Sequence, residues 1–452
     1  MLAPMLAQGI ILRRPRVLGP AGRLEVDRRA ADALHRAREA HGPGPLRLRI
    51  PFREVALVLD REDVVRLLDG SPEPFAPATR EKRAALAHFQ PQGVLISRGE
   101  DRAQRRAWNE SVLQMDRPLH AVGAHLVPVV REEVTRLLGE VAGADGADGG
   151  ELDWDRFAVG WWRAVRRVVL GDGARDDAEL IDLLGRLRAH ANWAYLHRTD
   201  DAGRRQLLDG IDGWLDRAEP GSLAAEVRAG HPSGRVAAAS QVAHWLFAYD
   251  AAGIAVWRAL SLLAGHPAAL DDVRHELAGR DLDTPQELPL LRATVLESVR
   301  LWPTTLAVLR ESTQETDWRG RRAPAGTTFV VVSSFFHRDE RTLPAADAFD
   351  PAGWLDGRDR TAEALVPFSG GPGRCPGRDL VLFTTSTVLA ALLADRSLAQ
   401  TAGTAAVTGT LLPRTLDHTA LSFRLAPRTP ARSAPLPREE NTADRTVERA
   451  AG

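Results

Sequence analysis

The stretch Phe368-Ser-Gly-Gly-Pro-Gly-Arg-Cys375-Pro-Gly377 gathers glycines and prolines around the only cysteine of the 452-residue chain. Gly370, Gly371, Gly373 and Gly377 lack a Cβ, so the backbone there can take positive φ and let another group approach closely. Pro372 and Pro376 stiffen the same loop by fixing φ and removing two donors. The apolar run from Arg378 to Leu393 is long enough for a buried helix. Cys375 therefore stands just before a helix N-terminus, where the dipole and free amides favour an anion and lower the thiol pKa. Two readings are open at this point: a sulfur presented to a ligand, or a buried structural cysteine beside a glycine-rich turn, free cysteine being among the most buried residue types.

Hydrophobic residues at 44% and charged residues at 26% suit an ordinary globular chain. With 59 basic and 60 acidic residues the net charge is −1, which supplies no bulk attraction to nucleic acid or to an anionic membrane. One cysteine cannot close an intrachain disulfide, so nothing points to an oxidising compartment. Met1 to Leu12 is mildly apolar and precedes Arg13-Arg14-Pro15-Arg16, the reverse of a signal peptide's order. No uninterrupted apolar stretch reaches the roughly 18 residues that span a bilayer. A cytoplasmic, monomeric protein without an anchor is expected. Lys82 is the only lysine; arginine carries the remaining positive charge.

Taken in order, Arg47 to Leu59 alternates around Pro51 as a hairpin, and Asp60 caps a helix with an acidic first turn. Ser71 to Ser97 has no clear period and reads as a long loop, which in compact domains tends to be functional. A helix starts at Gly99 and places Arg102 and Arg106 one turn apart on one face, which alone would be a solvated basic face. Residues 118 to 230 read as amphipathic helices interrupted near 142–150 and 171–173, with Trp161, Trp162 and Trp193 assigned to the core. Ser233 to Gly265 is mostly apolar, without proline, and is the candidate central helix. Within it Asp250 is an acid among apolar neighbours, and a buried carboxylate needs a partner or a task. Glu297 and Arg300 lie at i, i+3 on a helix ended by Pro303; as a surface pair they would contribute only a few tenths of a kcal/mol. Ala323 to Ser333 reads as a turn and strand, Leu411 to Leu425 as strand-like, and the proline- and charge-rich segment 429–452 as a disordered tail.

In this order and spacing, over about residues 45 to 425, these motifs resemble the cytochrome P450 family of haem-thiolate enzymes. The cysteine loop of that family reads Phe-x-x-Gly-x-Arg/His-x-Cys-x-Gly. Phe368, Gly371, Cys375 and Gly377 fall on it, while Gly373 takes the basic position and Arg374 follows one residue later. The resemblance implies a mainly α fold, one large helix-rich domain with a smaller β-rich part over residues 1–428. It implies haem b bound through Cys375, with Arg102, Arg106, Arg310 and Arg374 toward the propionates. Ala248 and Gly253 leave room for the central helix to lie against a flat ligand. Asp250 aligns with the acid of the family's oxygen-binding segment, Ala/Gly-Gly-x-Asp/Glu-Thr, and Ala251 stands where the threonine would be. Glu297 and Arg300 would support the cysteine loop from behind; the family's third member, an arginine, falls on Gly353, leaving Arg358 or a backbone group to replace it. Phe89, Val94, Leu95, Phe247, Thr305 and Ala307 are candidate pocket residues.

The implied activity is monooxygenation of a small, largely apolar substrate with O2, in the setting of bacterial secondary metabolism. Electrons would come from NAD(P)H through a ferredoxin or flavodoxin with its reductase, since no dinucleotide fingerprint or iron–sulfur cysteine cluster is present. The missing threonine keeps a second enzymatic reading open: oxidative coupling, ring closure or nitrogen transfer. A haem-binding sensor or carrier is the reading from another class.

Overall fold

In the computed structural model, which describes residues 14–145, 150–356, 360–403, 407 and 411–428, the alternation around Pro51 folds as the expected hairpin. Strands β1 (Leu46–Ile50) and β2 (Arg53–Leu57) pair antiparallel, with Leu46 opposite Leu57 and Ile50 opposite Arg53. They open a five-stranded sheet of order β1-β2-β8-β5-β3, completed by β3 (Phe75–Ala76), β5 (Ala307–Ser312) and β8 (Thr328–Val332). Only the β2/β8 pairing is parallel. A second sheet runs β4 (Glu151–Asp153), β10 (Ser422–Pro427), β9 (Arg396–Ala402), and β6 (Thr316–Trp318) pairs with β7 (Arg321–Ala323). The strand expected over 411–425 is thus confined to 422–427, because Asp417 caps a short 3-10 turn at His418–Ala420 just before it. The segment 71–97 is likewise less irregular than expected: it holds β3, a helix at Arg80–Leu86 capped by Thr79, and a 3-10 turn at Val94–Ile96.

Helices form the bulk of the chain and pack around one of them, Ala238–Gly265. It begins five residues later than the apolar run, because Ala237 takes a left-handed φ of 52°. By length and composition it could cross a membrane, but it is buried on nearly every side, as the core helix of a packed domain is. Its polar residues bind it to its surroundings. Gln241 accepts from Val94 N at 3.0 Å and donates to Gln92 O at 2.8 Å, fixing the 92–94 loop against the helix. Trp245 Nε1 donates to Asn109 Oδ1 at 2.7 Å, which ties in the helix Gly99–Val112. Ser298 Oγ donates to Ala255 O at 3.0 Å from the helix Pro289–Leu301.

One aromatic assignment and one glycine assignment change. Trp161 is core and Trp162 is partly buried, but Trp193 is 49% exposed under the Arg14 guanidinium, 4.4 Å from its centroid. Gly253 opens toward Trp161 and not toward a flat ligand: a Cβ there would lie 2.8 Å from Trp161 Nε1, which donates to Tyr249 O at 3.0 Å. Residues 1–13, Arg358 and the tail 429–452 lie outside the described residues.

The notch at Gly253 is a packing device with a measurable cost when filled. Gly253→Ala forces an indole ring to move and is expected to destabilise by about 1–3 kcal/mol. Urea unfolding checks this, and Gly139→Ala, which meets nothing within 4 Å, is the control expected to lose no stability.

Candidate functional site

The cysteine loop is held by its own backbone first. Cys375 N donates to Phe368 O at 2.8 Å, and the helix Arg378–Leu393 starts from Gly377. Of the four glycines only Gly371 has positive φ, 59°, and its absent side chain matters for protein packing: a Cβ would lie 2.4 Å from Leu68 O. The Gly377 amide lies where it favours the thiolate form of Cys375. Burial nevertheless raises the thiol pKa more than that amide and the nearby Arg106 lower it, which corrects the expectation of a thiolate formed by the helix terminus alone. Cys375 is half-buried within its loop.

The basic residues separate into two sets. Arg106 is buried and committed, with Nε on Glu110 and Nη1 donating to Arg374 O at 2.7 Å, so it braces the cysteine loop. Arg374 turns outward to Asp116 at 2.7 Å with its side chain 44% exposed, and does not join the inner set. Arg102, Arg310 and Lys82 do. Arg310 Nε donates to Ser71 Oγ at 2.7 Å and Nη2 to Ser369 Oγ at 3.1 Å. A Cβ on Gly373 would lie 2.9 Å from Arg310 Nη2, so this guanidinium, sent across from β5, fills the space of the basic residue the loop lacks. Arg102 is buried and its Nε has no hydrogen-bond partner. Lys82 Nζ donates to Leu309 O at 3.3 Å, and burial beside Arg310 and Arg102 pushes its pKa down to about 7. Among the described residues no carboxylate bonds to any of the three. The arginine pair on the helix is therefore not a solvated face.

Two buried guanidiniums and a partly charged lysine gathered without an acid, one guanidinium carrying an orphaned buried donor, need an anion from outside the chain. Haem would meet that need through its propionates, and Cys375, on the loop that Arg310 reaches through Ser369, would supply a sulfur for its iron. The residues present fit the group.

On the other side stands the central helix. Asp250 pairs with Arg188 of the helix Ala178–Ala191 at 2.7 Å, which supplies the partner that an acid among apolar neighbours needs. The Arg188 guanidinium also lies 5.0 Å over Phe247, and Phe247 sits 5.5 Å from Phe89. Phe247, Ala248, Ala251, Leu95 and Ala307 are half-buried, Phe89 and Val94 are buried, and Thr305 is exposed. Phe247 occupies the first small position of the oxygen-binding pattern.

Behind the loop, Glu297 and Arg300 are a buried pair, at 1% and 4% exposure, and not a surface one. The carboxylate takes Arg300 Nη2 at 2.6 Å, Arg300 Nε at 2.7 Å, Asp350 N at 2.9 Å and Trp354 Nε1 at 2.8 Å. A backbone amide and an indole thus stand in for the third arginine. The space above Gly353 is taken by Arg360, whose Nη1 donates to Gly353 O and whose guanidinium lies 5.4 Å over Trp354. Ser71, Ser369, Trp354, Arg360 and Arg188 were not legible as site residues; only Ser369, inside the loop, had a local signal.

The helical unit thus presents its sole cysteine on a braced loop near an acid-free cationic pole, residues that fit a haem. The cytochrome P450 family profile matches residues 249–401. Zebra fish cytochrome P450 with abiraterone superposes with a TM-score of 0.69 at 18% identity, over 88% of this chain and 99% of that one. Retinoic acid-bound cyanobacterial CYP120A1 gives 0.68 at 18%, over 87% and 94%. In sequence, cyclooctat-9-en-7-ol 5-monooxygenase of Streptomyces melanosporofaciens is 34% identical over 30% of this chain and 31% of its own length. Cytochrome P450 93G1 of Oryza sativa is 31% identical over 58% and 51%. The matched regions span about a third to a half of these relatives. Over residues 249–401 the chain thus matches the cytochrome P450 family, and its fold is that of cytochrome P450 structures.

Two consequences of the Glu297 cluster can be measured. Trp354→Phe removes a donor from a buried carboxylate and should cost about 1.5–3 kcal/mol in urea unfolding. His337, whose Nε2 accepts from Val366 N at 2.9 Å, is pushed from 6.5 down to about 3 by burial and by Arg300. The unfolded chain binds a proton there that the folded chain refuses, so stability present above pH 6.5 is lost as pH falls toward 3, by up to roughly 1.4 kcal/mol per unit. His337→Gln keeps an acceptor and should flatten the pH dependence of the unfolding free energy by one proton.

Proposed function

We propose that the chain is a haem-thiolate monooxygenase that inserts one oxygen atom of O2 into a small, largely apolar substrate. The observation that carries this reading is the loop of Cys375 lying against Arg310, in the carboxylate-free set it forms with Arg102 and Lys82. Bound haem supplies O2 activation, and thiolate ligation favours cleavage of the O–O bond. Cys375 provides the sulfur, the Gly377 amide steadies its charge, and Arg102 and Arg310 take the propionates by charge-assisted bonds. Arg106 holds the loop through Arg374 O. Phe89, Val94, Leu95, Phe247 and Ala307 surround the substrate.

The name of the Streptomyces relative, an oxygenase acting on an alkenol, supports an apolar substrate of secondary metabolism. Electrons come from NAD(P)H through a ferredoxin or flavodoxin and its reductase, and residues 1–428 act as one cytoplasmic, monomeric, bacterial catalytic unit. A second reading rests on the central helix. Phe247 takes the space of a small residue, Ala251 cannot donate or accept a hydrogen bond, and Asp250 is held by Arg188. These departures favour coupling, ring closure or nitrogen transfer over hydroxylation, and product analysis separates the two.

The ferrous carbon-monoxide complex tests the assignment. The wild type should show the absorption of a thiolate-ligated haem and Cys375→His that of a histidine-ligated one; a histidine-type spectrum from fresh wild type overturns it.

A further inference from the structure

The central helix is buried along almost its whole length, and the exceptions fall in a pattern. From Ala239 to Leu263 every residue is buried except His244, Phe247, Ala248, Asp250 and Ala251. His244, Phe247, Ala248 and Ala251 stand at i, i+3, i+4 and i+7, one stripe down one face of the helix. A stripe that keeps accessible surface in the middle of a packed helix borders a space the protein does not fill. Phe89 closes on it from the 86–90 turn, with its ring 5.5 Å from that of Phe247. The other faces are taken up by protein: Trp245 bonds Asn109, Tyr249 bonds Thr384 and Ala255 O receives Ser298.

His244 is the polar member of the stripe. Its ring lies 5.8 Å from that of Phe247. Gln90 Nε2 donates to His244 Nδ1 at 3.1 Å, which leaves the proton of the neutral ring on Nε2. The ring is neutral, since burial, with Lys82 adding to it, pushes its pKa down to about 4. Among the described residues nothing accepts from Nε2, and protein does not seal that atom away. An uncharged N–H in an apolar wall is thus left for an oxygen that the chain itself does not supply.

Seven residues of helix rise about 10 Å, so His244 and Ala251 mark the two ends of the stripe, and only apolar side chains lie between them on it. We propose that His244 hydrogen-bonds a hydroxyl or carbonyl oxygen at one end of the substrate and so holds the carbon to be oxidised at the Ala251 end. The enzyme then acts on elongated apolar alcohols or ketones. This rests on the haem-thiolate reading, which places the reacting group beside Ala251. Gln90 is a positioning residue that acts through His244 by fixing its tautomer.

The wild-type holoprotein decides first, without any variant. On alkan-1-ols from decanol to hexadecanol the oxidised carbon should stay at one count from the hydroxyl as the chain lengthens; a position that follows the methyl end overturns the proposal. Equilibrium dialysis with dodecan-1-ol and 1-chlorododecane reads the contact without turnover. His244→Phe should lower the preference for the alcohol over the chloride roughly three- to tenfold relative to wild type, and Gln90→Leu should lower it in the same direction. An unchanged preference in His244→Phe, or no binding of these alcohols by the wild type, overturns the proposal. A thiolate-type carbon-monoxide spectrum alongside any of these failures leaves the haem-thiolate reading standing and removes only the His244 contact.

Discussion

The Glu297 carboxylate, buried to 1% exposure, is the constraint on which the cysteine side of the molecule depends. A charge taken that far from water is tolerated only when every lone pair is met, and four donors converge on it from two segments, the helix itself and the turn at 350–354. The consequence propagates. Arg300, oriented by Glu297, donates to His337 O at 2.9 Å and to Ala346 O and Ala348 O at 2.7 Å, so the meander before the loop is pinned to one helix. His337 in turn accepts from Val366 N, Val366 O accepts from Ser369 N at 3.0 Å, and Ser369 Oγ receives Arg310. One continuous chain of bonds therefore links a helix carboxylate to the loop that presents Cys375 and to the cation beside it.

That architecture explains which parts of the site could be read from residues alone. Cys375 was legible because one loop carries the whole signal, and Glu297, Arg300, Arg106 and Arg310 because each sits at a fixed spacing from a proline, a turn or a partner. The replacements were not. Trp354 and Arg360 substitute for an arginine at Gly353 through space, and Arg310 fills the void at Gly373 from a strand some sixty residues earlier. Nothing local marks a glycine whose missing side chain is supplied by another segment. Gly253 shows the same blindness in reverse: smallness was assigned to a ligand, and an indole takes it. Trp193 was placed in the core on hydrophobicity, which does not tell a loop aromatic stacked under an arginine from a buried one. The helical fold survived these errors because its long apolar runs are periodic and numerous.

The distal side departs from the family where chemistry is most sensitive. Phe247 brings a ring where a small residue stands elsewhere, and the ring is fixed by Phe89, His244 and the Arg188 guanidinium. The same arginine neutralises Asp250 at 2.7 Å, so ring position and carboxylate charge are set by one side chain. A change at Arg188 would thus alter the setting of the Phe247 ring and of the Asp250 carboxylate together.

Iron K-edge X-ray absorption of the purified ferric holoprotein tests the central claim, that this fold exists to hold a haem by Cys375. The account predicts one sulfur scatterer in the first coordination shell, lost in Cys375→Ser; a first shell of nitrogen and oxygen alone in the wild type would contradict it.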